Sequence, residues 1–144
     1  MVGIVIVAHT PVASAMLGFA EHAFGVAPER VRAVDVPPYE DIKVSFDRVL
    51  KAAYGVNTGL GVLILTDVMG ATPANVASKL EALGPLSGLN APVIVLAGLN
   101  LPMLMRCISH RGEGLEELAQ KALQGGQNGI LRLGTKAPQA TTEK

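Results

Sequence analysis

Val2-Gly3-Ile4-Val5-Ile6-Val7-Ala8-His9-Thr10-Pro11 is the stretch that decides how this chain folds. Residues 2–8 are apolar without a single polar interruption. A run of that kind suits a central parallel strand covered on both faces. It ends in a histidine, and the Thr-Pro pair that follows reads as the start of a helix. The strand therefore delivers His9 to a helix mouth, where backbone N–H groups have no partner. A phosphorylatable histidine needs that setting.

Working outward, apolar runs at residues 31–36, 61–66, 92–97 and 129–133 alternate with stretches of helical spacing. Val12, Met16, Phe19 and Ala23 recur at that spacing, as do Ile42, Phe46, Val49 and Ala53. Val76, Leu80 and Leu83 follow, then Leu101, Leu104 and Ile108, then a last helix over residues 115–123. Alternation of β and α elements predicts an α/β fold, an open and mainly parallel sheet with helices on both faces, and the arrangement expected for it is the flavodoxin-like order 2-1-3-4. Residues 129–133 are short and contain Arg132, which suits an edge strand. Residues 1–133 read as one domain, and residues 134–144 as a mobile tail with no apolar period.

Composition narrows the function. The chain has 144 residues, 49% hydrophobic and 17% charged, which fits one globular domain with a single core. Lys plus Arg and Asp plus Glu are equal at 12 each, and aromatics are only 3%, so neither a basic footprint nor a base-stacking surface for nucleic acid is expected. Cys107 is the single cysteine and reads as a small buried hydrophobe. The start lacks a basic n-region and a cleavage pattern, and no apolar run reaches membrane-spanning length, so a cytoplasmic location is expected.

In open parallel sheets, ligands bind outside the carboxyl ends of the strands. Three junctions at that edge share one grammar: Thr10-Pro11, Thr72-Pro73 and Asn100-Leu101-Pro102 each offer an N-cap residue before a first-turn proline. The stretch Asp67-Val68-Met69-Gly70-Ala71-Thr72-Pro73 is the richest as an anion site, because Gly70 and Ala71 admit a phosphoryl oxygen to the backbone and the Thr72 hydroxyl can donate. Thr10, Met69, Gly70, Ala71 and Thr72 are therefore the candidate phosphate-binding residues. Each cap taken alone is ordinary helix punctuation.

Asp67 ends the third strand as His9 ends the first. Those strands are neighbours in the 2-1-3-4 order, so their ends should lie about 5 Å apart. At that distance a carboxylate can accept one ring N–H, fix the tautomer and leave the other ring nitrogen as nucleophile. His9 and Asp67 are the candidate catalytic pair. The plainer reading makes His9 a locally bonded polar residue and Asp67 a turn residue. His22 and His110 read as structural. Asp67 and Asp35 are too few for a Mg²⁺ cage, so no metal and no cofactor is expected.

These blocks resemble the enzyme IIA component of the mannose family of the bacterial phosphoenolpyruvate-dependent sugar phosphotransferase system. The resemblance covers nearly all of residues 1–133 and is carried by residues 4–9, 67–75 and 97–104. It implies a phosphotransferase in which His9 takes a phosphoryl group from the small carrier HPr and passes it to a histidine of enzyme IIB. It also implies that the far ring nitrogen carries the phosphate and that Asp67 orients the ring. It implies a homodimer in which residues 129–133 form an antiparallel strand exchanged between protomers. The IIB partner is expected as a separate chain, and the membrane is reached only through a transporter complex. This chain differs from sugar-transporting members in having Thr10 for Gly, Met69 for Trp and Ala71-Thr72 for Gly-Ser.

An alternative of another class is a regulatory, phosphorylation-sensing module that uses the same surface without sugar transport. A nucleotide or flavin binder fits poorly, since no G-x-G-x-x-G follows the first strand. A receiver domain fits worse, because Ala8-His9 stands where an acidic pair is required.

Overall fold

The structure, a computed structural model, describes residues 1–134. Four strands form a parallel sheet: β1 (Gly3–His9), β2 (Val31–Val36), β3 (Val62–Thr66) and β4 (Val93–Ala97), in the order β2-β1-β3-β4. Five helices connect or follow them: α1 (Val12–Phe24), α2 (Ile42–Val56), α3 (Thr72–Leu83), α4 (Leu101–Ser109) and α5 (Leu115–Asn128).

β1 explains why the sheet has two cores. Ile4, Ile6 and Ala8 point to one face, against α1, α4 and α5, where Ala13, Leu104 and Leu118 are buried. Val5 and Val7 point to the other face, against α2 and α3, where Val49, Ala53, Val76 and Leu80 are buried. A strand buried on both sides cannot alternate polar and apolar residues, hence the unbroken run. Burying a Val or Ile side chain is worth roughly 1.5–3 kcal/mol, so β1 is a main source of stability as well as the support of His9.

Some expectations change. The buried stripe of α1 is Ala13 and Ala20, with Met16 and Leu17 packed beside them, while Phe19 is exposed. α5 runs on to Asn128, five residues past its expected end. Gly125 and Gly126 lie within this extension, and a Cβ at Gly125 would stand 2.7 Å from Arg106 Cβ. The glycine is there so that α5 can lie against α4, and tertiary contact outweighs its weak helix propensity. Residues 129–133 form no strand in the single chain: they leave α5 without regular structure, with Ile130, Leu131 and Leu133 exposed. With no antiparallel neighbour beside this segment, its pattern alone cannot make a strand. The expected tail lies outside the described residues from position 135 onward.

Cys107 is buried, and burial pushes its thiol up to about 12, as an inert core cysteine requires. Among the described residues no helix is long and apolar enough to cross a membrane.

Candidate functional site

The sheet order sets β1 between β2 and β3, so His9 at the end of β1 lies between the ends of both neighbours. Asp67 follows directly on β3. Its own carbonyl accepts the Gly98 N–H at 3.0 Å, which ties the end of β3 to the end of β4. From that fixed backbone the Asp67 carboxylate turns toward β1. Its Oδ2 accepts the His9 backbone N–H at 3.0 Å and lies 2.7 Å from His9 Nδ1. Its Oδ1 accepts the Val68 N–H at 2.9 Å.

Burial works to raise the Asp67 pKa, but the two hydrogen bonds from His9 and the one from Val68 outweigh it and hold the carboxyl below its ordinary value. An ionised carboxylate only accepts, so the proton in the 2.7 Å contact belongs to His9 Nδ1. In a neutral ring that arrangement would leave Nε2 with the lone pair. The His9 side chain is 51% exposed and Asp67 only 14%, so the orienting group is sheltered and the ring it orients is open.

His9 borders a cleft of about 490 Å³ whose other walls are Val36, Pro37, Pro38, Tyr39, Glu40, Ile42 and Thr72. A larger cleft of about 830 Å³ lies near Pro85 and Pro92, before β4 and thus at the opposite edge of the sheet. Its lining includes no His, Cys, Ser, Thr or Lys, whereas the smaller cleft holds one member of the His9–Asp67 pair and is the candidate site.

The three helix mouths are not alike. Asn100 caps α4 as expected, with Oδ1 accepting the Met103 N–H at 2.9 Å. Thr10 does not cap α1. Its N–H is bonded to the Val36 carbonyl at 3.2 Å, and the peptide bond to Pro11 is cis. The α1 mouth is filled instead by Asp35 of β2, which accepts the Ser14 N–H at 3.0 Å and the Ser14 hydroxyl at 2.6 Å. Thr72 does not cap α3 either: it is already the first helical residue, and extended Ala71 precedes it with no side-chain bond. So α3 alone has neither its own cap nor a carboxylate from elsewhere at its mouth. Gly70 precedes that mouth with φ +87, a left-handed turn that suits glycine. Met69 and Val68 project outward beside it, 84% and 57% exposed.

His9, Asp67 and Thr72 are thus brought to one place, with Gly70 and Ala71 on the same turn. Residue reasoning missed the wall contributed by residues 37–42. Pro37-Pro38 has by composition the look of a plain loop, although its position after β2 puts it at the same sheet edge. It also missed the Asp35–Ser14 pair, whose signal was an acidic residue at a strand end, as with Asp67. Among the described residues no group of three His, Cys, Asp or Glu side chains lies close enough to hold a metal ion.

The family model described as PTS system fructose IIA component, of the EIIA-man family, matches residues 3–124. The chain belongs to this mannose-type enzyme IIA family. It is 29% identical over 137 residues to the PTS system mannose-specific EIIAB component of Escherichia coli K12, covering 94% of this chain and 40% of that protein. The chain therefore spans well under half the length of that relative. Its fold matches the phosphotransferase system component EIIA of Streptococcus agalactiae with a TM-score of 0.79 and 28% identity, over 92% of this chain and 97% of that one. The PTS IIA protein associated with the fucose utilization operon of Streptococcus pneumoniae matches at a TM-score of 0.64 and 30% identity, over 90% and 91%. Enzyme IIA components are phosphotransferases.

Proposed function

We propose that the chain is a phosphocarrier in which His9 Nε2 accepts a phosphoryl group from phospho-HPr and passes it to a histidine of an enzyme IIB. The observation that carries this reading is the 2.7 Å contact between His9 Nδ1 and Asp67 Oδ2, which leaves Nε2 as the uncommitted ring nitrogen of a histidine that lines the cleft. The reacting species is the neutral imidazole. Its Nε2 lone pair forms the new N–P bond while the donor's N–P bond breaks and that electron pair returns to the donor ring. The Nδ1 proton stays in place throughout. His9 becomes cationic, and the Asp67 carboxylate stabilises that charge. The N–H groups at the α3 mouth and the Thr72 hydroxyl would hold the phosphoryl oxygens, so the work is positioning and electrostatics. Onward transfer is the same displacement run toward the next histidine. The mannose-specific EIIAB name of the Escherichia coli relative supports a B component as that next carrier.

Exchange of residues 129–133 within a homodimer belongs to the same proposal. β4 is an edge strand, and Ile130, Leu131 and Leu133 leave α5 exposed, as a strand waiting for a partner sheet would be.

The test is incubation with phosphoenolpyruvate, enzyme I and HPr, with the label mapped by mass spectrometry. One phosphoryl group on His9, discharged when a IIB is added, is expected. No label, or label that persists in His9→Ala, would overturn the reading. Label on His9 that no IIB removes would replace onward transfer with phosphorylation sensing.

A further inference from the structure

The β2–α2 loop holds an aromatic residue in a position that the fold itself does not use. Tyr39 has φ +67, the left-handed region that a residue with a Cβ seldom adopts. Its side chain is fully solvent-exposed at 104%, so no buried contact repays that conformation.

The loop around it is fixed on both sides. Pro37 and Pro38 have restricted backbones, and the Pro37 carbonyl accepts the Glu40 N–H at 3.4 Å. Asp41 caps α2 by accepting the Lys43 N–H at 2.8 Å. The Glu40 carboxylate accepts the Ser45 hydroxyl at 2.6 Å and Arg48 Nη1 at 3.0 Å. Arg48 Nη1 also donates to the Asp35 carbonyl at 2.7 Å, tying the loop back to β2. Tyr39 is therefore held out into solvent by an anchored frame.

The place it is held is the His9 cleft, whose wall includes both residues. Because β1 lies between β2 and β3, the loops after those two strands flank His9 on opposite sides. Tyr39 and Ile42 stand on one side, Val68 and Met69 on the other, and all four are exposed. A small anion at Nε2 needs none of this apolar rim. A protein whose phosphohistidine must reach Nε2 has to cover it.

We propose that Tyr39 is a specificity-determining residue for docking of the protein donor, an aromatic anchor for a partner that presents its phosphohistidine amid apolar side chains. Strained backbone kept at a functional edge and aromatic anchors at interface centres are both general patterns. The inference rests on His9 being the phosphoryl acceptor, and its test separates the two.

Two donors are compared on the wild-type chain and on Tyr39→Gly, a substitution suited to the positive φ. With phospho-HPr, kcat/KM of His9 phosphorylation should fall roughly tenfold, carried by KM, as for truncation of an interface anchor. With phosphoramidate, a small donor that docks on no rim, the rate should stay within about twofold. Tyr39→Phe should keep most of the HPr rate. Thermal unfolding should show Tyr39→Gly no less stable than wild type, which removes misfolding as an explanation. An unchanged KM for HPr, or an equal loss with phosphoramidate, would overturn the role of Tyr39 and leave the phosphocarrier reading standing. Failure of the wild-type chain to label with either donor would overturn both.

Discussion

Two histidine–carboxylate pairs in this molecule make a useful contrast. His9 Nδ1 lies 2.7 Å from Asp67, and His110 Nδ1 lies 3.2 Å from Glu113. The second pair is local, three residues apart at the end of α4, and its carboxylate is shared with Lys121 at 2.7 Å. The hydrogen bond from Lys121 is what chiefly holds the Glu113 carboxyl below its ordinary value. The first pair joins two strand ends 58 positions apart, and Asp67 spends its hydrogen bonds on His9 and its own neighbour Val68. Asp67 is also sheltered, while Glu113 is about one-third exposed. The lesson is that a carboxylate beside an imidazole does not make a nucleophile. His110 also lines a cleft, of about 450 Å³, so space beside the ring does not separate the two pairs; the sheltered carboxylate committed to one imidazole does.

The largest effect should come from deleting the two rings. His9→Ala is expected to abolish phosphorylation by phospho-HPr, and His110→Ala to leave the initial rate within about twofold, both read by label incorporation. Label lost in His110→Ala as well would break the contrast. Next is Asp67→Asn, which keeps the shape but removes the charge that stabilises the phosphorylated ring. A loss of about a hundredfold in rate is expected, the scale of removing one preorganised electrostatic partner. Glu113→Gln should change the rate by less than about twofold.

A third effect is on acid stability. The Asp67 pKa is lowered in the folded protein relative to the ordinary carboxylate. Such a group binds fewer protons folded than unfolded in the acid range, so its contribution is complete above the ordinary carboxylate pKa and disappears as pH falls through the folded value. Thermal melts from pH 7 downward should show a shallower loss of Tm in Asp67→Asn than in wild type. The same comparison for Glu113→Gln should show a smaller difference, and one that salt weakens, because that pair is more exposed. Smallest is Asn100→Ala, which removes the one cap that a helix's own N-cap side chain makes among the three mouths and should cost about 1 kcal/mol in denaturant unfolding without changing the rate of His9 labelling.

Much of this arrangement was legible in the residues. The unbroken apolar run of β1 and the alternation of elements were sufficient for an open, mainly parallel sheet, and the flavodoxin-like order expected for it, which the structure has, made His9 and Asp67 neighbours. What the residues did not reveal were features decided by contact between distant segments. Thr10-Pro11 carries the letters of a helix cap, but Asp35 from the next strand fills the α1 mouth. The helix expected to end at residue 123 runs on through Gly125-Gly126, where α4 packs against it. The wall at Tyr39 was invisible for another reason: an exposed tyrosine with positive φ leaves no mark in hydrophobic period or composition.

The central claim is about one ring, and its ring nitrogens can be observed. Two-bond ¹H–¹⁵N correlation of the His9 imidazole, recorded before and after phosphorylation, reports which nitrogen carries hydrogen and which carries phosphorus. The expected result is a neutral ring protonated at Nδ1, followed by a phosphoryl group on Nε2 with the Nδ1 proton retained. A ring protonated at Nε2 in the free protein, or a phosphoryl group on Nδ1, would contradict it.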